Sequence, residues 1–238
     1  MSSANVQTSS YNKFYILFQI IGLTLIFYVY QWIVQYRGGF SFTEPKKIFN
    51  WHSILMTIAF VYLFANAILH YRTFQNNTKR KLKNQHAIIH GCILILIVFA
   101  GFAVFISHQY ADPPIPHLYS LHSWLGVITV VMFLAQLFSG LYCFLYPGVA
   151  ARHRETLAPY HVFFGISNFV LAVATVVLGF CEKIIFSLEN QYKKLPAEGQ
   201  LANILGVLCV FYCTLVVYMV TKPEFKRRPN PEFESLLK

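Results

Sequence analysis

Four histidines, His52, His86, His122 and His161, recur about once per membrane-length run of apolar residues. Imidazole is the commonest protein ligand for metals and titrates near neutral pH. Each of the four sits near the N-terminal end of its run, and ionisable groups at such positions are costly and mark function. His52 and His122 open runs that begin on one side of the membrane, His86 and His161 runs that begin on the other. A single four-ligand metal site cannot gather them, because the pairs lie towards opposite faces of a hydrocarbon core about 30 Å thick. Two separate two-histidine sites fit better. Zinc asks for four protein ligands, or three and a water, and the runs contain no Asp or Glu to complete such a set. Haem needs only two axial ligands, since the porphyrin supplies the other four nitrogens. Bis-histidine iron has no open position and favours electron transfer over oxygen chemistry. Two such centres, one near each face, would move an electron across a bilayer in steps.

The elements that must hold these residues are membrane helices. The chain is 56% hydrophobic and 12% charged, which places it in the membrane class. Six runs without Asp, Glu, Lys or Arg lie within 14–36, 48–71, 84–111, 113–151, 156–181 and 199–221. Each holds the roughly 20 apolar residues that a span requires. Pro114, Pro116 and the "YPG" at 146–148 trim the fourth. The expected spans are 14–36, 50–71, 85–107, 120–145, 158–180 and 201–221. They form a single domain followed by a tail, 222–238. The first run follows a polar segment, exceeds a signal-peptide core in length and lacks a small-residue cleavage site, so it reads as a retained anchor.

Orientation follows from the basic residues. With the N-terminus in the cytosol, that side holds Lys13, Arg72, Lys79, Arg80, Lys81, Lys83, Arg152, Arg154, Lys222, Lys226, Arg227, Arg228 and Lys238. The far side holds only Arg37, Lys46, Lys47, Lys183, Lys193 and Lys194. Both termini are therefore expected in the cytosol, and most of the net charge of +10 is this bias. It suits anionic lipid or a small anionic substrate. Nucleic acid is the weaker reading and is not expected as a partner, because the basic residues flank spans and form no domain of their own. The five cysteines fall in or at the ends of spans, form no CxxC and read as small packing residues. "NNT" at 76–78 matches a glycosylation acceptor, but its basic loop reads as cytosolic and the site as unused. His70 and His153 read as polar-surface residues.

The sequences "FNWHSILM" at 49–56, "LYSLHSW" at 118–124, "APYHVFFG" at 158–165, "GFCEKIIFSL" at 179–188 and "TKPEFKRRP" at the end of the last span resemble the cytochrome b561 family, together with the spacing of the four histidines. The resemblance runs over residues 14–229. It implies an all-α integral membrane fold of six transmembrane helices, a four-helix core from spans 2–5 holding two b-type haems, and a homodimer. It implies transfer of electrons from cytosolic ascorbate to ferric iron or monodehydroascorbate on the other side. The implied axial pairs are His52–His122 and His86–His161. His90, four residues after His86, shares its helix face, and sequence geometry does not choose between them; the family pattern favours His86.

By the same resemblance, Arg72 and Lys79 meet one haem, and His117, Leu118, Tyr119, Ser120 and Glu182 the other. Lys79, Lys83 and Arg154 resemble an ascorbate site, where several cations attract and orient a monoanion. Ser107 and His108 resemble the acceptor side. Ser107, His117 and Gln35 depart from the residues usual in the family, which leaves the acceptor open. In the tail, Glu232 with Leu236 and Leu237 resembles an acidic dileucine signal for late endosomes and lysosomes; the plasma membrane or a secretory vesicle is the alternative. Two other functions compete. A histidine-based proton or metal-ion transporter without haem lacks the acidic groups that ion paths often use, and a membrane scaffold leaves the two-and-two histidines unexplained.

Overall fold

The computed structural model describes residues 3–146 and 149–227, with side chains from Ser10 onward. Among them, six helices are long and apolar enough to cross a membrane. They are α1 (Ser3–Tyr36), α2 (Pro45–Thr73), α3 (Lys79–Gln109), α4 (Leu121–Leu145), α5 (Ala151–Leu188) and α6 (Ala197–Thr221). The described residues contain no strand. The expected all-α membrane architecture is therefore present.

Local chemistry sets the helix ends. Pro45 opens α2, where its missing N–H is not needed. The Thr78 hydroxyl accepts from the Lys81 N–H and caps α3, so the threonine of the "NNT" motif serves the helix. Ser120 and Ser123 form a reciprocal capping box that starts α4 two residues before His122. α5 begins at Ala151, earlier than the Pro159 signal suggests. Pro159 cannot bond to the Glu155 carbonyl, but Glu155 lies on an exposed turn where water can serve. Residues 57–63 of α2 form a π-helical turn, and the Thr57 hydroxyl bonds back to the Ser53 carbonyl at 2.8 Å.

α2 packs against α3 and α5, α4 packs against α5, and α6 packs against α5 and α1. The diagonal pairs, α2 with α4 and α3 with α5, come together at most at isolated points. α2–α5 thus make a bundle with two open diagonals, and α1 and α6 cover its outer side. The bundle centre is an aromatic cluster. Phe133 of α4 meets Phe60 and Phe64 of α2 edge-on, with centroids at 5.6 and 5.9 Å, and Phe64 meets Phe169 of α5 at 5.7 Å. Outward residues such as Ile20, Phe99 and Val207 are exposed and apolar, as a lipid-facing surface requires.

Both ends of the bundle are tied by polar contacts. At one, the basic end, the Tyr11 hydroxyl lies 2.8 Å from the Thr73 hydroxyl, and Arg72 donates to the Val220 and Lys222 carbonyls at the end of α6. At the opposite end, buried Glu198 accepts from the Trp32 indole at 2.7 Å and pairs with Arg37. Asn50 donates to the carbonyls of Arg37 and Gly39 in the α1–α2 turn. Gly38 and Gly39 there have φ of 77° and 78°, a conformation that favours glycine.

Two expectations need correction. His70 is buried, 5% exposed, with its Nε2 3.1 Å from the Gln85 side-chain oxygen; it belongs to the α2–α3 contact and not to the polar surface. His153 is exposed as expected. The cysteines are all free; Cys209 is buried in the core and Cys213 packs against it, but Cys92 and Cys181 face outward, so packing describes part of the set. Pro147, Gly148, Arg228 and the dileucine-like residues lie outside the described residues.

Candidate functional site

The four histidines meet as two pairs across the open diagonals. At the opposite end, His52 of α2 faces His122 of α4, with ring centroids 6.2 Å apart and planes perpendicular. At the basic end, His86 of α3 faces His161 of α5 at 6.4 Å and 69°. The levels are well separated. Ala100, beside His52, and His86 lie on the same helix, about 21 Å apart at 1.5 Å per residue.

Three of the rings are oriented by a neighbouring backbone. His52 Nδ1 lies 3.1 Å from the Ala100 carbonyl, His86 Nδ1 3.0 Å from that of Ala67, and His122 Nδ1 2.9 Å from that of Thr175. A carbonyl oxygen only accepts, so each Nδ1 carries the proton and each Nε2 keeps its lone pair. That is the arrangement in which metal-bound histidines are held.

The remaining walls are cut to fit the rings. Gly179 of α5 lies against His122, where a Cβ would sit 2.8 Å from its Cε1. Gly140 of α4 lies against His161, where a Cβ would sit 3.1 Å from its Cε1. Each of these two helices thus supplies a histidine at one end and a glycine to the other's histidine.

The pairs fit a haem and do not fit a bare ion. Two metal–imidazole bonds of roughly 2.0 Å, with about 1.1 Å from each ring nitrogen to its centroid, give a centroid separation of about 6.2 Å. The observed separations match. Among the described residues no three His, Cys, Asp or Glu converge on a metal-ion position, whereas zinc takes three or four. The His52–His122 pair opens into a cavity of about 1300 Å³, large enough for a macrocycle.

The surroundings of His90 differ from those of His86. It packs edge-on to Phe64 at 5.4 Å and lies 5.6 Å from Phe133, within the central aromatic cluster. It contacts the His86 ring at 4.5 Å, so it touches the pair from the side.

At the basic end, Lys83 donates to the Phe144 carbonyl at 2.9 Å, and Phe144 packs on His161 at 5.2 Å. Lys79 and Arg154 lie close enough for their charges to bear on Lys83. Lys83 thus stands beside the His86–His161 pair, with the charges of Lys79 and Arg154 bearing on it. Arg72, by contrast, is engaged with the α6 carbonyls.

At the opposite end, His108 stacks on His117 at 5.5 Å and on Phe49 at 6.2 Å, and Phe49 contacts His52 at 5.7 Å. His108 Nδ1 is buried without a hydrogen-bond partner, and its neighbour Ser107 is buried. Leu118 has φ of 54°, and its carbonyl accepts from the Trp124 indole at 2.8 Å. Ser107, His108, Leu118, Tyr119, Ser120 and Glu182 line the cavity; His117 stands outside, against His108. Burial and then the Glu182 carboxylate push the Tyr119 phenol above its ordinary value, so it remains a neutral donor.

Sequence reasoning missed the Ala67, Ala100 and Thr175 carbonyls, which carry no side-chain signature. It also missed Gly140 and Gly179; the only available signal was a glycine opposite a histidine in an antiparallel register.

The chain is similar to known proteins over most of its length. Residues 51–187, more than half of it, match the family described as eukaryotic cytochrome b561. A transmembrane ascorbate-dependent reductase of Sus scrofa is 39% identical over 224 residues, covering 94% of this chain and 88% of that one. The Homo sapiens protein of the same name is 37% identical over 227 residues, with the same two coverages. A lysosomal membrane ascorbate-dependent ferrireductase of Bos taurus is 40% identical over 220 residues, covering 90% of this chain and 82% of that one.

Proposed function

The chain belongs to the eukaryotic cytochrome b561 family, a family of membrane haem proteins, and on that premise we propose that it carries electrons across a membrane from cytosolic ascorbate through two b-type haems. The observation that carries this reading is the pair of matched histidine couples at two levels, with rings 6.2 and 6.4 Å apart. The names of the relatives support ascorbate as donor and oxidoreductase as class.

His52 and His122 would hold the haem on the non-cytosolic side, and His86 and His161 the one on the cytosolic side. A bis-histidine haem supplies a one-electron ferric/ferrous couple and no open coordination position. The chain's residues do the rest. The Ala100, Thr175 and Ala67 carbonyls keep the Nε2 lone pairs of His52, His122 and His86 directed into the diagonals. The Phe60–Phe64–Phe133–Phe169 cluster packs the space between the levels and excludes water from it.

Lys79, Lys83 and Arg154 bind the ascorbate anion beside the His86–His161 pair. Lys79, with Arg72 at the end of α6, would face the carboxylates of the nearer haem, and residues 117–120 with Glu182 would contact the other. Ser107 and His108 receive the acceptor. Ferric iron is the acceptor we favour, on the printed name of the lysosomal relative; monodehydroascorbate is the alternative. The molecule works in a lipid bilayer as a homodimer with both termini cytosolic. Its residence in late endosomes or lysosomes rests on the tail residues Glu232, Leu236 and Leu237, and an unchanged distribution of a Leu236→Ala, Leu237→Ala variant in cells removes that part.

The test is a reduced-minus-oxidised spectrum of purified protein and its variants. Two haems per chain are expected in the parent. His52→Ala or His122→Ala removes one and leaves the other reducible by ascorbate; His86→Ala or His161→Ala blocks reduction by ascorbate from the cytosolic side. A full haem complement in either class of variant overturns the pairing.

A further inference from the structure

We propose that Lys183, supported by Arg37, forms a carboxylate-binding site in the wall of the non-cytosolic cavity. The inference rests on the two-haem reading above and assigns a role to a residue that reading leaves unused.

Lys183 lies on the part of α5 that runs past the expected span. Its ammonium sits 4.0 Å from the centre of the Phe49 ring. A ring face attracts a cation but accepts no conventional hydrogen bond, so three N–H donors remain. The ion pairs among the described residues are Arg37–Glu198 and Lys47–Glu44; Lys183 is in neither. The charged groups that bear on it are Arg37 and Glu198, and Glu198 is already engaged with Arg37 and Trp32. Arg37 itself retains a buried Nε without a partner. Two cationic side chains with free donors therefore line one cavity with His52 and His122.

A lysine at the end of a span ordinarily snorkels along the lipid face towards the headgroups. Lys183 instead turns into the cavity and over Phe49. A half-buried ammonium without a counter-charge is costly, and a carboxylate relieves that cost. The other acids of the cavity do not supply it. Glu182 bears on His108 and Tyr119, Glu44 is paired with Lys47, and Asp112 is exposed. Position narrows the ligand. Phe49 contacts both His52 and His108, so Lys183 lies over the ring that links the inner histidine pair to the outer histidines. The ligand would be either a propionate of a haem held by His52 and His122 or the carboxylate of an anionic acceptor entering the same cavity.

The experiment compares purified Lys183→Met and Lys183→Arg holoprotein with the parent. It measures the midpoint potential of each haem, the resonance Raman propionate-bending bands, and re-oxidation by anionic ferric citrate and by cationic hexaammineruthenium(III). If the ligand is a propionate, Lys183→Met lowers the potential of the non-cytosolic haem and moves its propionate band, and Lys183→Arg restores both. If the ligand is the acceptor, the potentials stay put. The half-saturating ferric citrate concentration then rises roughly tenfold, what one charge-assisted hydrogen bond confers, while the ruthenium complex is unaffected. Intact haems with parental bands and parental constants for both acceptors overturn the assignment, as does a shifted potential without a shifted band. A parent protein lacking two haems overturns the haem reading instead.

Discussion

The glycines opposite His122 and His161 give the sharpest test of the proposed haem pockets. In Gly179→Ala the new Cβ would lie 2.8 Å from His122 Cε1 and 3.1 Å from its Nδ1. Carbon atoms settle at about 3.5–4.0 Å, so the ring must retreat by about 0.7–1.2 Å. It has little freedom to do so. Its Nδ1 is held 2.9 Å from the Thr175 carbonyl, one turn back on the same helix as Gly179. Retreat stretches that bond and swings Nε2 away from its partner across the diagonal. Metal–ligand bonds tolerate about 0.2 Å, so the expected displacement is several times the tolerance.

Gly179→Ala is therefore expected to lose the haem held by His52 and His122 and to keep the other. In Gly140→Ala the contact with His161 Cε1 is 3.1 Å, which is tight but short of a clash. That variant is expected to keep both haems with a perturbed cytosolic one. Gly91→Ala, where a Cβ meets nothing within 4 Å, is the control. The assay is haem per protein by pyridine haemochrome, with a reduced-minus-oxidised spectrum and ascorbate reduction. Half the parental haem, still reducible by ascorbate, is the expected result for Gly179→Ala. A full complement with parental line shape refutes the steric reasoning, and equal loss of both haems refutes the assignment of Gly179 to one level.

Other outcomes follow from contacts already described. His90→Phe is expected to keep both haems, since His90 packs among Phe64 and Phe133, whereas His86→Ala loses one; the same spectrum decides, and haem loss in His90→Phe exchanges the two roles. Lys83→Glu and Arg154→Glu are each expected to raise the half-saturating ascorbate concentration by roughly tenfold with haem spectra intact. Added salt should slow the step in the parent, as charge steering is screened over about 8 Å at physiological ionic strength; unchanged kinetics in both variants remove the ascorbate assignment. Glu198→Ala strands Arg37 and the Trp32 N–H and is expected to cost about 3 kcal/mol, read as a lower unfolding temperature in detergent. Lys47→Ala, at the exposed Lys47–Glu44 pair, should cost no more than about 1 kcal/mol.

Why two pairs form, and why these, follows from alternation. Successive spans run in opposite directions, so histidines that open spans 2 and 4 share one face and those that open spans 3 and 5 share the other. In a four-helix bundle, alternate helices lie on a diagonal, and the structure brings His52 to His122 and His86 to His161 across diagonals that the helices themselves leave open. That much was legible, because it depends only on residue type, span order and direction.

What was not legible depends on three-dimensional register. The different surroundings of His86 and His90, the Ala67 carbonyl beside one and Phe64 beside the other, carry no signal in the sequence. Both histidines share a helix face, so only the neighbouring helices separate them. His70 read as polar surface because an end-of-span histidine usually is; its burial against Gln85 is set by the close approach of α2 and α3. Arg72 donates to the Lys222 and Val220 carbonyls at the end of α6, a tie between distant parts of the chain that spacing cannot reveal. Lys183 was counted only as a far-side positive charge. A lysine ending a span normally leaves the bundle, and the extension of α5 beyond the apolar run turns this one into the cavity instead. The apolar run marks where lipid ends, but the helix continues past it, and the residues on that continuation are the ones that face whatever approaches from the far side.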